Sequence, residues 1–364
     1  MLMENSLHSL LQSEISAGLE ARVATLNHSE VLAGVQTDSA TSLMRLLGER
    51  ALICDLVLRD PPTSWMLLNV HAAHWLATRK AAAAVELVLH QLHTAFPLLE
   101  QLGAQSSLAN SLSIQLLRGE TLVARIIHSL DLAATISARK NGDGWLIQGE
   151  LPVCLIGPDT QFILLPVASA YTGKLDIFLL PCNADAVQIV SRAPVSGDEN
   201  YALARINLAN VQLNPECHLG SIARESYQHS LSIHQALSAI TNNQSSKMTL
   251  TATIEFLRNR LVNGTPLLKL DVLQQRLAAL QAELSMSQAL AYSTLYAQRT
   301  ETFSRLANAS YEAARKLHQT ITAECLHLGG INHYRTDSEV ANSYQQSRWM
   351  NFFSEFSPAT VLAR

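Results

Sequence analysis

Apolar residues recur at helical spacing over most of this chain. The clearest run follows Pro266, where Leu267, Leu270, Leu273, Leu277, Leu280, Leu284, Ala291 and Leu295 lie three, four or seven residues apart with Gln, Glu and Ser between them. That spacing predicts one long amphipathic helix. Its start is marked by Gly264 for a turn, Thr265 as cap and Pro266 at the first helical position, where a missing N–H costs nothing. A preceding helix is predicted from about Ile222 to Leu261, with a polar interruption at Thr241 to Ser246. Another runs from Phe303 to Leu328 through Leu306, Tyr311, Ala314, Leu317 and Ile321, and stops at Gly329-Gly330. A last helix covers roughly Glu339 to Phe352, and the first 118 residues also read as helices with few glycines.

Near Leu117-Arg118-Gly119-Glu120 the period changes, and from there to about Leu219 the sequence predicts strands. Ala133 to Ala138 and Trp145 to Gly149 flank Asn141-Gly142-Asp143-Gly144, the pattern of a hairpin. Gln161 to Val167, Lys174 to Pro181 and Ala204 to Leu213 continue as short strands. The organisation expected is α+β and mostly α: a helical domain over 1–118, a β domain over 119–219 and a helical bundle over 220–364.

Composition narrows the function classes. With 48% hydrophobic residues in 364, a large core is available. Charged residues make up 15%, the net charge is −4 and no basic block occurs, which argues against nucleic acid and anionic membrane surfaces. Cys54, Cys154, Cys182, Cys217 and Cys325 form no CxxC pair, the usage of reduced thiols in a cytoplasm. No basic region precedes an apolar run at the N-terminus, and no uninterrupted apolar stretch reaches membrane-spanning length, so a cytoplasmic protein is expected. His71 and His74, and His90 and His93, are spaced i, i+3; without a carboxylate- or Cys-rich companion they read as structural or solvent-facing.

Three groups of residues, in order, carry a family resemblance. Upstream, Asp60, Ser64, Trp65 and His71 stand where one helix ends and the next begins, although Asp60-Pro61 also reads as a plain helix stop. The Asn-Gly-Asp-Gly-Trp-Leu-Ile-Gln-Gly hairpin follows. Downstream, Phe256, Arg260, Gly264, Pro266, Leu267, Gln274, Leu277 and Ala278 keep a characteristic spacing, with Asn263 where a Phe is usual. Gly329-Gly330 keeps another, with Leu326 at a Gln position and Asn332 at a later Gly. Together these resemble the acyl-CoA dehydrogenases; the Asp60 to His71 segment is shared with the related group D flavin monooxygenases. The resemblance implies an N-terminal helical domain, a central β domain and a C-terminal four-helix bundle that packs into dimers or tetramers.

It also implies chemistry. In that family a base removes the α-proton of an acyl thioester, on CoA or a carrier protein, while the N5 of FAD accepts the β-hydride. Arg260, Gly329 and Gly330 fall at positions that serve the diphosphate and adenosine of a flavin held mainly by the neighbouring subunit. The flavin-side positions of the β domain differ: Val123 to Ala134 lacks the expected glycines, and Pro152 and Cys154 replace a Trp and a Thr. The base falls on Glu355 after a shift of two residues, or on His234 by count from Arg260. Taken by themselves, Glu355 also reads as a solvated carboxylate, His234 as a structural histidine and Arg260 as an interhelix cation. The activities implied are a flavin-dependent oxidoreductase, a monooxygenase of the group D type, or a non-catalytic subunit that completes a homologous partner.

Overall fold

The computed structural model describes residues 39–49, 62–79, 81–127, 133–169, 172–184, 186–335 and 338–350. Cys54, Asp60, Phe352 and Glu355 lie outside them, as do the side chains of Ser64 and Trp65. Among the described residues five helices come first: α1 (Ala40–Glu49), α2 (Pro62–Ala77), α3 (Ala82–His90), α4 (Phe96–Gly103) and α5 (Ser107–Leu117). Between α3 and α4 the helix widens into a π turn, Gln91–Ala95. The run Ala82–Gly103 is long and apolar enough to cross a membrane, but 89% of its most apolar window is buried by other elements. It is the core helix of the N-terminal layer.

Eight strands follow: β1 (Leu122–Ile126), β2 (Ser137–Asn141), β3 (Gly144–Ile156), β4 (Thr160–Ala168), β5 (Leu175–Pro181), β6 (Val187–Val195), β7 (Asp198–Leu213) and β8 (His218–Ile222). They form one sheet in the order β6-β7-β3-β1-β4-β5-β8, with β2 paired to β3. The pairing is antiparallel except for β1 with β4. The expected hairpin is present, with Asn141 opposite Gly144. A separate apolar core lies within the sheet, built from Ile147, Cys154, Leu165, Phe178 and Ile206 among others.

The C-terminal layer is α6 (Arg224–Asn259), α7 (Asp271–Tyr296), α8 (Phe303–Gly329) and α9 (Glu339–Trp349), with α6 packed along α8, α7 and α2. Two expectations are corrected here. Helix α6 runs unbroken through Thr241 to Ser246, because Thr241 and Ser246 donate back to the carbonyls of Leu237 and Asn242 one turn earlier and so stay satisfied inside the core. Helix α7 starts at Asp271, not Pro266. Thr265-Pro266 (β10) instead pairs with Leu261-Val262 (β9) across an Asn263-Gly264 turn. Both turn residues have positive φ, 50° and 76°, the requirement of a tight hairpin that Asn-Gly meets at low cost.

Candidate functional site

Gln91, in the π turn, fastens the N-terminal helices to the sheet. Its carboxamide accepts from the Val123 N–H at 3.0 Å and donates to the Val123 carbonyl at 2.9 Å. Strand alternation then places Arg125, two residues on, on the same face as Val123 and toward α3. There Arg125 Nη1 donates to Glu86 Oε2 at 2.7 Å, and His234 Nε2 on α6 lies 3.3 Å from the same oxygen. His90, one turn after Glu86, meets the His234 ring edge-on with centroids 6.1 Å apart. Three elements therefore converge on one carboxylate, and Glu86, Arg125 and His234 are all 3% exposed or less.

Burial pushes the Glu86 carboxyl up, but Arg125, together with His234 and Ser238, outweighs it and holds the group below the usual carboxylate range. His90 is lowered as well, for a different reason: burial, then the nearby charges of His234 and Arg125, hold it well below the ordinary histidine range and keep it neutral. His234 Nδ1 has no hydrogen-bond partner among the described residues. Of the two positions that the family resemblance offers for a base, the one at His234 is thus occupied by an imidazole already engaged by a carboxylate and 1% exposed.

Glu86 also reaches a cavity of about 120 Å³ between α2, α3, α6, α8 and α9. Apolar Leu76, Val85 and Met350 share its wall with Asn242, Thr249 and His318. His318 Nδ1 bonds Ser246 Oγ at 2.9 Å, and burial lowers the ring's pKa to about 4. Glu355 follows Met350 by five positions, outside the described residues. Glu86, Arg125, Asn242 and His318 are absent from the sequence expectation. A signal for Glu86 and His90 existed, since both interrupt an otherwise apolar helix at i, i+4, and buried charge is rare without a partner.

Arg260, Gly329 and Gly330 come together elsewhere. Arg260 closes the far end of α6, 26 residues after His234 and hence about 39 Å away along the helix. Its guanidinium is exposed and lies 5.9 Å from the Phe256 ring centre. Phe256 packs against His333 with ring centres 4.8 Å apart and the planes tilted by 49°, and His333 donates from Nδ1 to the Cys325 carbonyl at 2.8 Å. The His333 ring covers Gly329 so closely that a Cβ there would overlap it. Gly330 adopts φ 55° with open space where a Cβ would stand. Two glycines in series thus serve different needs, close packing first and a positive φ second. Among the described residues Arg260 has no carboxylate partner, so an exposed cation and open backbone face outward from one corner.

The family resemblance implies a flavin seat in two halves, and the residues present at the two differ in how well they suit the group. The corner suits a diphosphate: a fork-shaped cation and backbone that an anion can approach. The β side does not supply the side chains expected there. Pro152 is exposed and lacks an N–H, where the β3–β7 register shifts between Leu151 and Cys154. Cys154 is fully buried in the core of the sheet, which pushes its thiol far above the usual range. Neither can offer an indole face or a hydroxyl. Among the described residues no three His, Cys, Asp or Glu side chains gather as metal ligands.

Residues 225–354 match the family model described as acyl-CoA dehydrogenase, C-terminal domain. Solved structures extend the likeness across the chain. Butyryl-CoA dehydrogenase from Megasphaera elsdenii superposes with a TM-score of 0.75 at 14% identity, covering 96% of this chain and 97% of that one. Glutaryl-CoA dehydrogenase from Mycobacterium smegmatis, in complex with FADH2, gives 0.77 at 14% identity, covering 96% and 94%. The ChsE4-ChsE5 complex from Mycobacterium tuberculosis gives 0.73 at 14% identity, covering 99% and 95%. At such identities the superpositions speak to fold. Residues 225–354 are thus similar to the C-terminal domain of the acyl-CoA dehydrogenases, and the chain carries the acyl-CoA dehydrogenase fold over nearly its whole length.

Proposed function

We propose that this chain is a subunit of a flavin-dependent acyl-thioester oxidoreductase, and that it completes the flavin site of a homologous neighbouring subunit instead of holding a flavin on its own strands. The observation that carries this reading is the contrast between the two half-sites. Arg260 stands exposed at an open corner about 39 Å along α6 from His234, too far to address the same reacting centre within one chain. On the β side, Pro152 and Cys154 offer nothing to an isoalloxazine. A bound flavin supplies hydride acceptance; this chain's part is to hold the diphosphate through Arg260 and to leave it room at Gly330. A two-chain assembly of homologous subunits is the arrangement this requires.

The test is spectroscopic. Purified alone, the chain should be colourless near 450 nm and take up no FAD; co-expressed with a flavin-bearing homologue from the same genome, it should co-purify in a yellow complex. The second reading is an autonomous homo-oligomeric dehydrogenase with Glu355 as base. The fold favours it, because the chain superposes on butyryl-CoA and glutaryl-CoA dehydrogenases over 96% of its length. A yellow protein, bleached by an acyl-CoA when purified alone and no longer bleached after Glu355→Gln, would establish that reading in place of the first.

A further inference from the structure

The cavity wall is polar in a way that an aliphatic chain does not need. Asn242 is 4% exposed and lines the cavity, and its Nδ2 has no hydrogen-bond partner among the described residues. His318, also 4% exposed, lines the same cavity from α8. Ser246 links the two: its hydroxyl donates to the Asn242 carbonyl at 2.8 Å, which leaves its oxygen to accept from His318 Nδ1–H at 2.9 Å. The imidazole is neutral at ordinary pH, so with the proton on Nδ1 the lone pair is on Nε2. One wall thus offers an amide donor and an imidazole acceptor from neighbouring helices. A cavity of about 120 Å³ has room for several waters to satisfy both. A hydrocarbon entering it displaces those waters and replaces none of their bonds, whereas a hydroxyl can accept from the amide and donate to the imidazole. A carboxylate has no proton for Nε2 and would meet Glu86 on the same wall; an ammonium has no lone pair for the amide.

We propose that this cavity seats a neutral hydroxyl carried on the acyl portion of the ligand, held between Asn242 Nδ2 as donor and His318 Nε2 as acceptor. The proposal rests on the acyl-thioester reading above and names the kind of acyl group it would take. It also explains why the buried Asn242 Nδ2 is kept without a hydrogen-bond partner among the described residues, an arrangement that costs stability and persists where a ligand completes it.

Calorimetric titration of the full-length protein with hexanoyl-CoA, with its isomers hydroxylated at each of carbons 3 to 6, and with free pantetheine tests this directly. One hydroxylated isomer should bind at least about tenfold more tightly than hexanoyl-CoA, the worth of a hydrogen bond or two in a desolvated site. Asn242→Leu should abolish that preference, so that the hydroxylated isomer binds the variant no more tightly than hexanoyl-CoA binds the same variant, and should leave the melting temperature of the free protein unchanged or higher. Equal affinity for all the hexanoyl thioesters overturns the proposal while the acyl-thioester reading stands. Binding of pantetheine alone with the same Asn242 dependence also overturns it, by assigning the site to the carrier arm. Failure of every thioester to bind removes the acyl-thioester reading, and this proposal with it. A preference that survives Asn242→Leu, or a marked loss of melting temperature in that variant, shows that Asn242 has a structural role and likewise overturns it.

Discussion

Glu86 and Arg125 form an ion pair sealed from water: the guanidinium donates to the carboxylate at 2.7 Å, with side chains 3% and 2% exposed. Such a pair joins α3 to β1, but its net worth is small, because both charges were taken out of water to make it. Breaking it from one side is another matter. Glu86→Leu leaves Arg125 buried without its carboxylate and should cost about 3–5 kcal/mol. Pairing Glu86→Leu with Arg125→Met removes both charges and should recover most of that loss. Urea-unfolding midpoints of the two single variants and the double variant check this; a double variant no more stable than Glu86→Leu would show that the carboxylate acts mainly through His234.

Gly329 should be intolerant of any side chain for a reason local to the protein. A Cβ there overlaps the His333 ring, which is pinned by its bond to Cys325 and its packing against Phe256. Gly329→Ala should destabilise the protein by about 1–3 kcal/mol, the usual cost of overpacking. Adding His333→Ala should relieve much of the penalty. Thermal melts of the single and double variants measure the coupling, and strictly additive losses would place the strain elsewhere.

Much of this fold was legible because period and punctuation agreed. The Asn141 to Gly144 hairpin, the end of α8 at Gly329-Gly330 and the helix–strand–helix order all follow from short-range chemistry. The start of α7 was misread although its signal was present: Asn263-Gly264 between Leu261-Val262 and Thr265-Pro266 is a hairpin pattern, and a proline at a helix start competed with it. The polar stretch in α6 was read as a break because burial is not visible along a sequence. Thr241 and Ser246 satisfy themselves within the helix, whereas Asn242 depends on what α8 and the cavity bring to it. The Glu86, Arg125 and His234 contact joins residues 39 and 148 positions from Glu86, which no local pattern reports.

Acid should destabilise this protein earlier than carboxylate titration alone would. His318 is neutral in the fold down to about pH 4, and His90 is also held neutral by burial, while in the unfolded chain both protonate near 6.5. A histidine pKa lowered by folding means that the unfolded state binds more protons, so stability is full above about pH 6.5 and falls as pH drops toward the folded values. Glu86, lowered in the fold, adds to the loss only below its unfolded value near 4.5. With both histidines titrating, the slope approaches about 2.7 kcal/mol per pH unit near pH 5. Melting temperatures from pH 8 to pH 5 should fall on the acid side of 6.5, and His318→Gln should flatten the curve. A flat profile in the parent protein would mean that these rings are hydrated.

The final prediction concerns Arg260, whose place at the end of α6 separates folding from assembly. Its guanidinium contributes a contact with the Phe256 ring and no ion pair among the described residues, so Arg260→Ala should change the melting temperature of the isolated chain little, within about 0.5 kcal/mol. In the proposed assembly the same group faces a diphosphate, where a charge-assisted contact is worth about 1.5–3 kcal/mol. The variant should therefore still fold but retain flavin in the complex about ten- to a hundredfold more weakly. Arg260→Lys should recover part of the affinity, since an ammonium keeps the charge but loses the two-pronged geometry. Equilibrium dialysis of FAD against the parent and variant complexes reads both effects. Unchanged flavin retention with a lowered melting temperature would make Arg260 a structural residue of the corner, and the half-site argument would then lose the residue on which it turns.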